Sequence, residues 1–146
     1  MADPLPPFDL DRFIPFRMAV IAARLSTDLA AHYKAAYGIS IAEWRVLLNV
    51  GYSGDNSVRD IEKRVSLDKA KVSRAASKLE AKGYISKTVD ATDRRLLKMT
   101  LTEDGRALLA RLIPIATAFQ QELEAALGAQ TVALHSALDR LTDTGA

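Results

Sequence analysis

The sequence predicts a mainly α-helical fold that contains one small β-hairpin. Apolar residues recur every three or four positions along most of the chain, which is the period of an amphipathic helix. Between residues 84 and 101, in contrast, β-branched and apolar residues alternate with polar ones on both sides of a polar turn, which is typical of two paired strands. The low aromatic content, 6%, and the many Ala and Leu residues also favour helix.

Length and composition limit the classes of protein to which the chain can belong. Its 146 residues suit a single domain, 1–146, with an ordinary apolar share of 49%. The absence of cysteine excludes disulfides, thiolate metal sites and thiol redox sensing. The first residues lack the basic and apolar regions of a signal peptide, and no apolar run approaches the roughly 18 residues of a membrane span. We therefore expect a cytoplasmic protein without membrane contacts.

The N-terminal part predicts an extended arm followed by one long helix. Three prolines within residues 1–9 disfavour helix there. The helix is expected from near Asp11 to Tyr37, with Pro15 in or near its first turn and Gly38 as its C-cap. Its apolar residues lie on more than one side, so we expect it to bury part of its length against a second subunit.

Capping signals place the next three helices. Ser40 and Glu43 form the S-x-x-E pattern of a capping box, in which each side chain satisfies a free backbone N–H of the other residue. Ser57 and Asp68 are the predicted caps of two further helices. The predicted spans are Ile41 to near Gly51, Val58 to Val65, and about Asp68 to Lys82, where Gly83 follows.

The hairpin and two C-terminal helices complete the chain. Predicted strands at 84–89 and 97–101 flank a tip at residues 90–95. Thr102 is the predicted N-cap of a long helix that Gly128 closes. We expect Pro114 to kink this helix rather than end it, because apolar periodicity resumes beyond the proline. A final helix is predicted near residues 131–141.

Positive charge is concentrated in the middle of the chain. Residues 57–100 hold 12 Lys and Arg against 6 Asp and Glu, a balance of +6 in a chain whose total is +2. A surface of this kind is suited to phosphate. Within the segment, the helix near 68–82 has an apolar face beside a basic face, whose members at spacings of three and four are Lys71, Arg74, Lys78 and Lys82.

The order of helix, short turn, helix and hairpin predicts a winged helix-turn-helix, with long N- and C-terminal helices that serve dimerisation. In this architecture the second helix enters the major groove of DNA and the hairpin reaches the backbone or the minor groove. The alternative is that the basic stripe is a solvated helix face, and the accompanying hairpin favours the DNA hypothesis. The residues assigned to DNA on this helix are Lys69, Lys71, Ser73, Arg74 and Lys78.

Three charged residues at the predicted hairpin tip suggest a second contact with DNA. Arg94 and Arg95 would repel each other unless an anion lay beside them, and Asp93 can hold one guanidinium in a bidentate pair. An extended arginine that enters a narrow minor groove meets enhanced negative potential. The alternative is a solvated turn.

Two stretches then connect the sequence with a known family. The first runs through Val72-Ser73-Arg74, Leu79-Glu80, Lys82-Gly83 and Tyr84-Ile85. The second and more specific stretch is D-x-R followed by L-T-x-x-G, matched by Asp93, Arg95, Leu101, Thr102 and Gly105. In these motifs the chain resembles the MarR family of bacterial transcriptional regulators.

The resemblance implies a function and an assembly. It implies a homodimer formed through residues 1–37 and 102–146, with a winged-helix DNA-binding part at 38–101, that binds a pseudo-palindrome. It also implies that Arg95 is the wing arginine in the minor groove and that Asp93 is its structural partner. Family members are usually released by a small ligand or by cysteine oxidation, and a chain without cysteine keeps ligand control or no control.

A ligand crevice between the first, second and fifth helices is a further implication of the resemblance. An arginine there would pair with a ligand carboxylate and Trp44 would give an apolar wall, which predicts a small aromatic or carboxylate effector. The alternatives are that Trp44 belongs to the core and that the histidines mark helix surfaces or interfaces. The candidate residues for this pocket are Arg17, His32, Trp44 and Arg45.

The function predicted from the sequence is a ligand-responsive, dimeric regulator of transcription, a repressor that binds double-stranded DNA. The chain has no H-E-x-x-H, Gly-rich phosphate loop or G-x-S-x-G, so we expect no enzyme, no metal and no cofactor. Two alternatives stay open. One is a constitutive or architectural DNA-binding protein without an effector, and the other is a helical protein-interaction adaptor, which would leave the segregated charge unexplained.

Overall fold

The structure, a computed structural model, describes residues 3–53, 58–65, 68–89, 92 and 97–143. The expected fold class, mainly α-helical with a two-stranded antiparallel hairpin, is confirmed. After a 3-10 turn at Leu10–Arg12, the elements are α1 (Ile14–Tyr37), α2 (Ile41–Tyr52), α3 (Val58–Val65), α4 (Lys69–Ala81), β1 (Ile85–Val89), β2 (Leu97–Leu101), α5 (Glu103–Leu127) and α6 (Gln130–Asp143).

The start of α1 differs from the prediction. Asp11 lies in the 3-10 turn, Phe13 is extended with ψ of 113°, and the α-helix begins at Ile14. The cause is Pro15, because a proline fits best in the first turn of a helix, where its missing N–H costs nothing. A helix that began at Asp11 would bring the proline ring against the carbonyl of the preceding turn.

Side-chain caps fix the beginnings of three helices as expected. Ser40, Asp68 and Thr102 each accept a hydrogen bond from the backbone N–H three residues further on, at 3.1, 2.8 and 3.0 Å. Such a cap contributes about 1 kcal/mol to stability. The predicted Ser57 cap lies outside the described residues. The reciprocal half of the capping box was wrong, because the Glu43 carboxylate pairs with a distant lysine instead of the N–H of Ser40.

The core lies between α2, α4 and the hairpin, with α3 and the first half of α5 closing its sides. Burying a large aliphatic side chain contributes roughly 1.5–3 kcal/mol to stability, so this cluster holds these helices and the hairpin together. Its large, fully buried side chains are Tyr33, Ile39, Val46, Leu47, Ile61, Val72, Leu79, Ile85, Met99 and Leu112.

The base of the hairpin is locked against the start of α5. The Thr102 hydroxyl donates a hydrogen bond to the Gly83 carbonyl, and the Thr102 backbone N–H donates to the Tyr84 carbonyl at 3.1 Å. Any Cβ at Gly105 would collide with that same Tyr84 carbonyl oxygen. The L-T-x-x-G motif therefore has a local physical basis, a hydroxyl cap followed by a residue small enough for the backbone of the turn to approach.

Helices α1 and α6 leave apolar surface uncovered. Helix α5 continues through Pro114 to Leu127, and α6 follows it without a single buried residue. Exposed side chains along this side of the molecule include Ile14, Met18, Ile21, Leu134, Leu138 and Leu141. No helix of the described residues is long and apolar enough to cross a membrane.

Candidate nucleic-acid interface

Helix α4 has the two faces that its sequence predicts. Its apolar face, at Val72, Ala75, Ala76 and Leu79, is buried in the core. Lys69, Lys71, Arg74 and Lys78 are exposed, and Ser73 is half-buried at the boundary. The core contacts of the apolar face thus decide which way the basic face points.

Three cations of this face are free to meet an anion. Within the described part of the chain, Lys71, Arg74 and Lys78 form no ion pair. Together with Ser40, Ala42 and the acidic Glu43 they border a shallow cleft of about 110 Å³ between α4 and the first turn of α2. Glu43 is paired with Lys82, so the three neighbouring cations keep a positive local potential that an approaching phosphate lowers.

Two other lysines of the basic segment are engaged within the protein. Lys82 Nζ lies 2.7 Å from Glu43 Oε2, although the sequence placed it on the same stripe as Lys78. Lys87, on β1, donates to Ser77 Oγ at 3.1 Å and lies 3.9 Å from Glu80 Oε1, so it ties the hairpin to α4. The partner of Lys82 is 39 positions away in the chain, and no local pattern could have found it.

The hairpin strands pack beside α4, and the end of the hairpin at Val89 extends away from the core. They pair in register from Ile85 opposite Leu101 to Val89 opposite Leu97. Ile85 is buried, whereas Val89 at the other end is exposed. The predicted tip residues Asp93, Arg94 and Arg95 lie outside the described residues.

Two of the predicted effector residues lie at a small cavity between α1 and α2. Trp44 and Arg45 border this space of about 60 Å³ together with Ser26, Leu29, Ala30, Tyr33 and Ile41. The Arg45 guanidinium donates to Ser26 Oγ at 3.1 Å and to the Val65 carbonyl at 3.4 Å. Trp44 is only 8% exposed and belongs to the core, as the alternative interpretation held.

Tyr33 is a cavity residue that sequence reasoning missed. Its ring centroid lies 4.4 Å from that of Trp44, and its hydroxyl is buried without a hydrogen-bond partner among the described residues. Burial raises the pKa of this phenol to about 12. A signal was present, because Leu29, Tyr33 and Tyr37 follow one another at intervals of four along α1.

The other two predicted effector residues are not brought to this cavity. Arg17 borders an apolar groove of about 460 Å³ between α1 and α6, and exposed His32 borders neither space. Both lie on α1, where 15 intervening steps at 1.5 Å separate them by roughly 22 Å. Within one subunit, Arg17 and His32 therefore do not meet at the cavity that Trp44 and Arg45 border.

Comparison with known proteins identifies the arrangement. A MarR-family model matches residues 37–96, from the end of α1 to the predicted wing tip. A structure of BpsR from Bordetella bronchiseptica superposes with a TM-score of 0.80 at 25% sequence identity, covering 94% of this chain and 99% of that one. A MarR/EmrR family regulator from Acinetobacter superposes with a TM-score of 0.74 at 29% identity, covering 94% of each chain. The chain is thus similar to the MarR family over residues 37–96 and to solved structures of MarR-type regulators over nearly its whole length.

The MarR-family match also agrees with a curated relative. The uncharacterised helix-turn-helix transcriptional regulator YdgJ of Bacillus subtilis is 31% identical over 78 residues, which are 53% of this chain and 48% of the relative. The chain thus spans about half the length of that protein. BpsR, for its part, is described as regulated in its DNA binding by 6-hydroxynicotinic acid. The resemblance to MarR-type regulators is confirmed, and the matched residues 37–96 include α4 but end before the L-T-x-x-G motif at 101–105.

Proposed function

We propose that this chain is a ligand-responsive transcriptional repressor of the MarR type that binds a pseudo-palindromic operator as a homodimer. The observation that supports it most is the basic face of α4, where Lys71, Arg74 and Lys78 are exposed and without ion pairs in the described part of the chain. A helical adaptor has no use for such a face, whereas a helix in a major groove needs it.

The residues would divide between positioning and base recognition. Arg74, near the middle of α4, has the planar fork that fits a guanine edge, and Lys71 and Lys78 serve phosphates. Lys69 and Ser73 contribute polar contacts at the start of the same helix. At the wing, Arg95 enters the minor groove, Asp93 orients it, and Arg94 contacts the backbone.

Homodimerisation would cover the apolar side formed by α1 and α6. The groove of about 460 Å³ there is lined almost wholly by apolar side chains, and a second copy brings the same surface to it. Two recognition helices would then address half-sites about one helical turn apart, roughly 10 base pairs centre to centre.

A single charge at this groove tests the dimer. Leu138 is 39% exposed and borders the groove, so Leu138→Glu should turn the dimer into a monomer in sedimentation experiments. Ser136→Glu is the matched control, because Ser136 is exposed on α6 and does not border the groove. A wild-type chain that sediments as a monomer at micromolar concentration would remove the dimer from the proposal.

The effector would bind where Trp44, Arg45 and Tyr33 meet. The free space of about 60 Å³ has room for about two water molecules, so a larger ligand must separate α1 from α2. Such a separation would move the DNA-binding part, residues 38–101, relative to the dimerisation helices. A small aromatic acid suits an aromatic wall beside a guanidinium, and the regulation of BpsR by 6-hydroxynicotinic acid makes that compound the first to test.

Titration of labelled DNA against salt tests the DNA-binding part of the proposal. Sites are first selected from random DNA, and the affinity is then measured between low and physiological salt. A steep fall of affinity with salt is expected from phosphate contacts, and no binding at low salt would leave only the adaptor. Addition of aromatic acids to the complex separates a ligand-responsive regulator, which is released, from a constitutive or architectural binder, which is not.

A further inference from the structure

Glu43 is the buried acidic residue of the described chain, and it has one cationic partner. Its exposure is 4%, and its Oε2 lies 2.7 Å from Lys82 Nζ. An ionised carboxylate out of water is costly unless it is paired and hydrogen-bonded. The Glu43 carboxylate therefore depends on Lys82, whose own side chain is 40% exposed at the edge of the pair.

The ion pair joins three parts of the fold. Lys82 is the C-cap residue of α4, and Glu43 lies in the first turn of α2. The Lys82 ammonium also donates to the carbonyl of Gly38 at 3.4 Å, where α1 ends in a left-handed residue with φ of 66°. One side chain thus connects the end of the recognition helix with the corner between α1 and α2.

We propose that Lys82 is a positioning residue rather than a DNA contact, and that its pair with Glu43 sets the angle at which α4 presents Arg74 and Lys71. The inference rests on the proposed function, because it concerns how α4 meets DNA. Its distinctive consequence is that Glu43, an acidic residue on another helix, supports sequence-specific binding without touching DNA.

The opposite hypothesis makes the opposite prediction for one variant. If Lys82 served DNA phosphates, Glu43 would compete with DNA for it, and Glu43→Gln would strengthen binding to every sequence. If Lys82 positions α4, Glu43→Gln loosens the helix and lowers the affinity for the selected site more than for random DNA. The change keeps the size of the side chain, so packing in the first turn of α2 is preserved.

The experiment compares Glu43→Gln, Lys82→Met, Lys82→Arg and the double variant Glu43→Gln/Lys82→Met at several salt concentrations. We expect each single charge removal to reduce the ratio of specific to random affinity by roughly tenfold, with an unchanged slope against salt. The double variant should lose no more than either single variant, because the two residues act as one unit. Lys82→Arg keeps the cation and should recover most of the ratio.

Lys78→Ala is the comparison for a lysine that does contact phosphate. Lys78 is exposed and without an ion pair in the described part of the chain, so its removal should lower the salt slope by about 0.9 and leave the ratio unchanged. The same result for Lys82→Met, or tighter binding by Glu43→Gln, would overturn the inference. An unchanged ratio in Glu43→Gln would also overturn it, since the pair would then serve folding alone.

Amide hydrogen exchange of the free protein separates this inference from the proposed function. Faster exchange in the last turn of α4 is expected for Glu43→Gln and for the double variant, which leaves no buried charge unpaired and so keeps the fold. Unchanged exchange in both would show that the pair does not hold α4, whatever the chain binds. A wild-type chain that binds no DNA would instead refute the proposed function.

Discussion

The rings of Tyr33 and Trp44 lie with their centroids 4.4 Å apart, and this contact joins the last third of α1 to the first turn of α2. The Tyr33 hydroxyl at its edge is buried without a hydrogen-bond partner in the described part of the chain. The contact thus combines a favourable aromatic pair with a hydroxyl whose desolvation is not compensated by a hydrogen bond in the described part of the chain.

Tyr33→Phe should therefore stabilise the protein, because it keeps the ring and removes the unsatisfied hydroxyl. We expect the free energy of unfolding to rise by about 1 kcal/mol at neutral pH, measured by urea denaturation. Tyr52→Phe is the control, since that tyrosine is exposed and its hydroxyl can reach water. Destabilisation by Tyr33→Phe would mean that the hydroxyl has a partner after all.

The same residue predicts a pH dependence. Burial raises the pKa of Tyr33 to about 12 in the folded state, whereas the unfolded residue ionises near 10.0. Between these values the unfolded state has lost the proton and the folded state retains it, so stability falls as the pH rises through this window. The stability difference between Tyr33→Phe and the wild type should consequently widen above pH 10, and a constant difference would contradict the raised pKa.

Gly105→Ala should be destabilising, although glycine to alanine within a helix usually stabilises. Alanine gains up to about 1 kcal/mol in an ordinary helix position, but here its Cβ would meet the Tyr84 carbonyl oxygen, which is backbone and cannot turn aside. We expect a net loss of about 1–3 kcal/mol in thermal unfolding. If the variant were more stable than the wild type, the close approach between α5 and the base of the hairpin would be refuted.

Arg74→Ala and Lys71→Ala should weaken DNA binding in different ways. Loss of a guanine contact at Arg74 costs about 1–3 kcal/mol on the selected site and relaxes base preference there. Loss of a phosphate contact at Lys71 weakens selected and random DNA alike and lowers the salt slope by about 0.9. Arg111→Ala, an exposed cation on α5, is the control. Equal losses on both kinds of DNA for both variants would show that base recognition was assigned to the wrong residue.

The wing makes a prediction that rests on the sequence, because Asp93 and Arg95 lie outside the described residues. Arg95→Ala should lower DNA affinity with little change in thermal stability, since it removes a minor-groove cation from an exposed tip. Asp93→Ala should lower affinity as well, because Arg95 then has to be ordered during binding.

The double variant tests whether Asp93 acts through Arg95. Once the guanidinium is gone, a residue that only orients it has no further effect, so the double variant should cost little more than Arg95→Ala alone. Additive losses would give Asp93 an independent role. Unchanged affinity in Arg95→Ala would remove the minor-groove contact from the proposed function.

Local patterns predicted most of the fold, and a contact between distant residues accounted for the differences at Glu43 and Lys82. The caps at Ser40, Asp68 and Thr102 depend on neighbours three positions away, which a sequence displays directly. The pairing of Glu43 with Lys82 depends on how α2 packs on α4, and no periodicity encodes it. Lys82 therefore has the same spacing in the sequence as Lys78, although its side chain pairs with Glu43 on α2.

The candidate effector site shows the same division. Trp44 and Arg45 were both named from the sequence and both border one cavity between α1 and α2. Arg17 and His32 were grouped with them on the basis of the family resemblance, without regard to the length of α1. Predictions from helix caps and apolar periodicity were thus confirmed more often than the effector residues that were assigned from the family resemblance.

If the proposed dimer forms, the uncovered apolar side of α1 and α6 would tie the amount of this protein to its effect on transcription. If two subunits must meet to cover that side, the concentration of the DNA-binding form rises with the square of the subunit concentration wherever dissociated subunits prevail. A twofold change in synthesis would then change operator occupancy by up to about fourfold at low occupancy. The apolar groove would thereby set a threshold in subunit concentration, below which newly made subunits remain monomeric and leave the operator unoccupied.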